Sequence, residues 1–137
     1  MLMSFPLFLI SFAIYNMIVF LTPGVAWSDI LYSIQLRSGE NWIITLGDGL
    51  IALSLVFLFF EIVKSTSTAS RSLFDHFLST FVFIGALVEF LLVREAATSI
   101  FATLLVISLV GVLGGWTVSA RNTRRDLTIE RQPDNLL

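Results

Sequence analysis

The chain has no cysteine and a single histidine, His76. The first absence excludes disulfide exchange, thiolate catalysis, cysteine-ligated zinc and iron–sulfur clusters. The second excludes a three-histidine metal centre and bis-histidine haem within one chain. Charge is scarce too. Asp, Glu, Lys and Arg make up 13% of the 137 residues, about half of the ~25% found in a soluble domain. Lysine occurs once, and the net charge of −2 gives no drive toward nucleic acid. What is abundant is apolar: 56% of the residues are hydrophobic, 13 of them Phe, and the mean hydropathy is +0.91. Such a chain cannot cover its apolar surface with its own polar groups, so its outer solvent is a lipid bilayer.

Four apolar runs of 18 to 23 residues stand out: 5–22, 42–63, 73–93 and 96–118. A helix crosses a ~30 Å hydrocarbon core in about 20 residues, and only helices or closed barrels satisfy their backbone there. The runs lack the two-residue alternation of barrel strands, so the expected fold is an all-α integral membrane protein, a bundle of four transmembrane helices over residues 1–120. The first run has neither a basic N-terminal flank nor a small-residue cleavage site and reads as a retained helix rather than a signal peptide. Lys64, Arg71, Arg121, Arg124, Arg125 and Arg131 fall on one side, against Arg37 and Arg94 on the other. The positive-inside rule then predicts cytoplasmic termini, with residues 121–137 a short cytoplasmic tail, and a bacterial inner membrane as the expected location.

Between the first two runs, Trp27, Ile30, Leu31 and Ile34 recur at helical spacing and Gly39 comes after them. That pattern predicts a short amphipathic helix over 26–37, flat on the outer membrane surface or folded over the bundle mouth. The last two runs are joined by little more than Arg94-Glu95, which makes them antiparallel neighbours.

Polar residues inside the runs are the candidate site, because a charge at mid-membrane costs at least ~2.5–3.5 kcal/mol. Counting from Trp42 and Arg94, Asp48 and Glu89 fall about 9 and 7.5 Å into the outer half of their spans. Asn16 and Thr103 lie at similar depth. The four make one predicted polar layer, a possible proton or cation site. On the third span Ser72, Asp75, Ser79, Val82, Ala86 and Glu89 form a small or polar stripe facing protein, with Phe74, Phe77, Phe81, Leu87 and Leu91 toward lipid. On the fourth, Ser99, Thr103, Ile107, Gly111, Gly115 and Ser119 recur at steps of four. Gly111, Gly115 and Ser119 are the candidate groove for helix packing or for a partner. Glu61 and Lys64 read as an interfacial ion pair, Asp75 as a helix-dipole partner, and His76 as a polar interfacial residue.

Gly47-Asp48 shares two residues with the Gly-x-Gly-Asp motif of intramembrane aspartyl proteases, but Thr45 stands where that motif has its first glycine. Small multidrug transporters place their essential Glu in span one, and span one here carries no acid. Three functions remain. The first, favoured by the small extramembrane mass, is a non-catalytic accessory subunit docking on a larger membrane complex. The second is a small proton- or cation-coupled transporter or channel using Asp48 and Glu89. The third is a binder of lipid or a hydrophobic small molecule, which requires a cavity. No enzymatic activity, cofactor, metal or nucleic acid is expected. The expected partners are the bilayer and other membrane proteins, or a second copy through span four.

Overall fold

The computed structural model describes residues 5–66 and 73–131, along the backbone alone at residue 119 and from residue 121 on. Ser72, Arg71, the Ser119 side chain and the end of the tail, 132–137, lie outside the described residues. The elements are α1 (Phe8–Leu21), β1 (Ile30–Gln35), β2 (Asn41–Thr45), α2 (Leu46–Thr66), α3 (Leu73–Leu92), a 3-10 turn (Arg94–Ala96) and α4 (Ser99–Arg131). The protein is mostly helical. Among the described residues, three helical stretches are long and apolar enough to cross a membrane: α2, α3 and Ser99–Val118 of α4. The fourth helix, α1, has 14 residues and reaches about 21 Å at 1.5 Å per residue, short of the ~30 Å of a hydrocarbon core.

The segment expected to be an interfacial helix is a β-hairpin. β1 and β2 pair antiparallel with Tyr32 opposite Ile44, Ser33 opposite Ile43, Ile34 opposite Trp42 and Gln35 opposite Asn41. The helical spacing of Trp27, Ile30, Leu31 and Ile34 coexists with a two-residue alternation of Ile30, Tyr32 and Ile34, and β-branched and aromatic residues favour the pleated state. The turn decides. Gly39 has φ +92, its N–H donates to the Leu36 carbonyl at 3.0 Å, and Leu36 N–H donates to the Glu40 carbonyl at 2.8 Å. This is a three-residue hairpin loop closed by a left-handed glycine. A single helix of about twelve residues and an isolated two-stranded hairpin are both marginal alone, and the hairpin is held by its bonds to the start of α2 and by Trp27 stacked on Tyr15.

The hairpin also moves the start of the second long helix from Trp42 to Leu46. The N–H groups of Leu46 and Gly47 donate to the carbonyls of Asp29 (2.9 Å) and Trp27 (3.0 Å), so the hairpin base satisfies two of the donors a helix N-terminus leaves open. At the other end of the bundle, Leu7 N–H donates to Glu61 Oε1 at 2.6 Å, and the Lys64 ammonium donates to the Phe5 carbonyl at 2.8 Å. The Glu61–Lys64 pair, 3.7 Å apart, therefore also anchors the first turn of α1 to α2.

α4 is the centre of the bundle. Phe101, Leu104, Leu105, Ile107 and Ser108 are all buried. Tyr15, fully buried, ties α1 to the α3–α4 connection: its hydroxyl donates to the Glu95 carbonyl at 2.8 Å and meets the Thr98 hydroxyl at 2.7 Å. Trp27 stacks on the Tyr15 ring at 4.7 Å and Phe101 meets it edge-on at 4.9 Å, closing the core at the hairpin end. The α3 stripe faces inward as its pattern predicts. Asp75 and Ala86 are buried and Ser79, Val82 and Glu89 half-buried, while Phe74, Phe77, Phe81, Leu87 and Leu91 are exposed.

Two glycine positions differ in what surrounds them. A Cβ at Gly111 would come within 2.8 Å of the Phe8 ring and 3.3 Å of Leu58, whereas one at Gly85 would meet nothing within 4 Å. Gly111→Leu is therefore expected to destabilise the protein by about 1–3 kcal/mol through overpacking. Gly85→Ala should stabilise it by roughly 0.5–1 kcal/mol through helix propensity. Thermal unfolding in detergent measures both, and equal effects at the two positions would refute this packing.

Candidate functional site

The four polar residues of the predicted layer fall into three separate environments. Asp48 lies in the first turn of α2 and is exposed. Its Oδ2 accepts the Thr45 N–H at 3.1 Å, and the Thr45 hydroxyl accepts the Asp48 N–H at 3.3 Å. This reciprocal pair is a capping box written Thr45-Leu46-Gly47-Asp48, with Asp in the place usually held by Glu. The depth expected for Asp48 assumed a span beginning at Trp42. With the helix starting at Leu46, the carboxylate sits at the N-terminus, where the helix dipole also favours it. Thr103 Oγ1 donates to the Ser99 carbonyl at 2.8 Å, a local bond within its own helix.

Asn16 and Glu89 do come together. Asn16 Nδ2 donates to Glu89 Oε2 at 3.3 Å, and the amide oxygen Asn16 Oδ1 is buried with no hydrogen-bond partner. The pair lies in a groove of about 330 Å³ between α1 and α3, walled by Leu9, Phe12, Phe81, Val82 and Ala86 with Gly85 among the lining residues. That volume is at the lower end of small-molecule sites. The groove opens along the flank of the bundle, so access is from the side. A second depression of about 290 Å³, between α3 and α4, is lined by Phe83, Leu87, Phe90, Ala102 and other apolar residues and offers no polar group.

The glycine face of α4 is occupied within the bundle. Gly111 faces Phe8 and Leu58, and Gly115 faces the His76 ring, with Nδ1 at 3.5 Å from a built Cβ. The third groove residue, Ser119, has its side chain outside the described residues. His76, the fourth residue of α3, is buried within the bundle: its ring lies 5.0 Å from that of Trp116, whose Nε1 donates to Thr80 Oγ1 at 3.1 Å. A Cβ at Gly115 would stand at ordinary van der Waals distance from the imidazole, so the small residue brings α4 close to His76 without being strictly required. Nearby, a cavity of about 10 Å³ between Glu61, Ser79, Ser108 and Gly111 has the room of roughly one water.

Comparison with protein-family models, curated proteins and solved structures finds no match. The site is therefore interpreted from its own chemistry. The Asp48 environment makes a specific demand. Asp48→Ala and Thr45→Ala should each cost about 0.5–2 kcal/mol, as cap removals do, and the double substitution should cost less than their sum because the pair is reciprocal. Unfolding free energies of the three variants measure this. Strict additivity would mean that the two side chains do not act as one cap.

Proposed function

We propose that the protein binds a lipid or hydrophobic small molecule that enters the α1–α3 groove sideways from the bilayer, without catalysing a reaction. The observation that carries this reading is the groove itself. It joins apolar walls to a polar pair in which a buried acceptor, Asn16 Oδ1, lacks a partner. A buried unpaired polar group costs roughly 1–3 kcal/mol, and a ligand supplying a donor removes that cost. The transporter reading loses support, because Asp48 caps a helix and is exposed instead of facing Glu89.

A specific observation also favours the accessory-subunit reading. α4 runs 33 residues, about 50 Å at 1.5 Å per residue, and continues past Val118, the end of its apolar stretch, through Arg121, Arg124 and Arg125. This basic extension is a handle for a partner, and the ligand-binding bundle is then one component of a larger assembly. One experiment addresses both readings: native mass spectrometry after mild extraction. The wild-type chain should retain one apolar adduct per monomer, Gly85→Leu should lose it, and truncation after Ala120 should lose any protein partner but keep the adduct. An adduct that survives Gly85→Leu would exclude the groove.

In the same proposal α1 crosses the membrane as a fourth span, thinning the bilayer locally to match its length. Both termini and the α2–α3 connection face the cytoplasm of a bacterial inner membrane, in keeping with the excess of basic residues. Cysteines introduced at Ser38 in the hairpin loop and at Thr66, the last residue of α2, test the orientation, since the chain has no native thiol. An impermeant maleimide added to intact cells should label position 38 and not position 66. The reverse pattern would invert the topology.

A further inference from the structure

We propose that the occupant of the α1–α3 groove is a single-chain amphiphile with a protonated primary amine as its head, accepted by Asn16 and Glu89. The inference rests on the reading that the groove binds a ligand, and it names the ligand's chemistry. Asn16 Nδ2 is already engaged with Glu89 Oε2. Left over are Glu89 Oε1, which no hydrogen bond reaches among the described residues, and Asn16 Oδ1, unpartnered and closed to solvent, which a ligand reaches when the amide turns toward the groove. Both are acceptors. A ligand that satisfies them must bring more than one N–H or O–H donor, and a head with positive charge complements the carboxylate, which selects an amine over a diol. An ammonium provides three donors on a compact point charge.

The rest of the groove selects the tail. Phe12, Phe81, Val82 and Ala86 present only hydrocarbon. Gly85 adds the second line of evidence. It is exposed, and a Cβ built on it meets nothing within 4 Å, so helix packing does not require a glycine there. A glycine inside a helix nonetheless costs roughly 1 kcal/mol against Ala, and its absent side chain provides free length in the groove.

The test is calorimetric titration of the full-length protein in phosphatidylcholine nanodiscs with dodecylammonium, dodecanol and dodecanoate, with partitioning into empty nanodiscs subtracted. Dodecylammonium should bind saturably at one site per chain and about tenfold tighter than dodecanol, because a charge-assisted hydrogen bond is roughly twice as strong as a neutral one. Dodecanoate should show no saturable binding. Glu89→Gln keeps an acceptor for Asn16 and should bring dodecylammonium down to the affinity of dodecanol. Asn16→Leu, which leaves the carboxylate in place, should weaken the ammonium as well and serves if the first variant does not fold. Gly85→Leu should abolish binding of both. Equal affinity for dodecylammonium and dodecanol, with both lost in Gly85→Leu, would overturn the amine head and leave the groove as a binding site. Absence of saturable binding, or binding that persists in Gly85→Leu, would overturn the groove together with the amine.

Discussion

A polar atom inside a hydrocarbon layer has no water to turn to, so every one must find its partner within the protein or wait for one from outside. That constraint organises this molecule. The two N–H groups that open α2 find the carbonyls of Trp27 and Asp29. The start of α1 finds Glu61, and Tyr15 finds Glu95 and Thr98. Ser11 and Ser54, both fully buried, meet each other at 2.8 Å. Each of these contacts also joins segments distant in the chain, so satisfying polar groups and assembling the bundle are one process. Among the described residues, Asn16 Oδ1 and Asp75 Oδ2 are the departures, both buried without a hydrogen-bond partner. Half of the Asn16 amide is satisfied by Glu89 and half is not, and Asn16 and Glu89 both line the groove between α1 and α3.

Glycines divide along the same line. On α4 their missing side chains are filled by Phe8, Leu58 and His76, which is the use membrane helices make of small residues when packing alone must hold them together. On α3 the missing side chain of Gly85 is filled by nothing. Identical residues thus mark a closed helix interface in one place and an open groove in another. The difference comes from neighbours that are more than twenty positions away in sequence.

The hairpin does more than connect. Because β2 passes into α2 without a loop, its last residue, Thr45, is also the helix cap, and the bonds that complete the helix N-terminus come from the residues just before β1. Trp27, stacked on Tyr15, lies in the same stretch. The outer end of the core, the start of α2 and the placement of Asp48 therefore depend on one another. Tyr32, Ile34 and Trp42 share one exposed face of the hairpin, and Trp and Tyr are the residues enriched where a membrane meets water.

Composition and hydrophobic run length were sufficient to predict a mostly helical chain with helices apolar enough to cross a membrane and to place their apolar stretches within a few residues, although α4 continues to Arg131, past the predicted end at 118. The inward stripe of α3 was equally legible, because both are properties of a helix and its solvent and need no knowledge of neighbours. The capping box Thr45-Leu46-Gly47-Asp48 was also written in the chain, but it was masked by the apolar run that begins at Trp42, which belongs to a strand and not to the helix. Local spacing supported both a helix and a strand across 26–37, and the turn at Gly39 together with cross-strand pairing chose the strand. Equal depth along a run put Asn16 and Glu89 at one level, and the structure joins them. The same arithmetic misplaced Asp48, since depth depends on where a helix starts. Which polar residue meets which, which glycine is filled, and whether a groove stands open between α1 and α3 are decided by how the helices pack around α4, because those contacts form between residues that no local pattern relates.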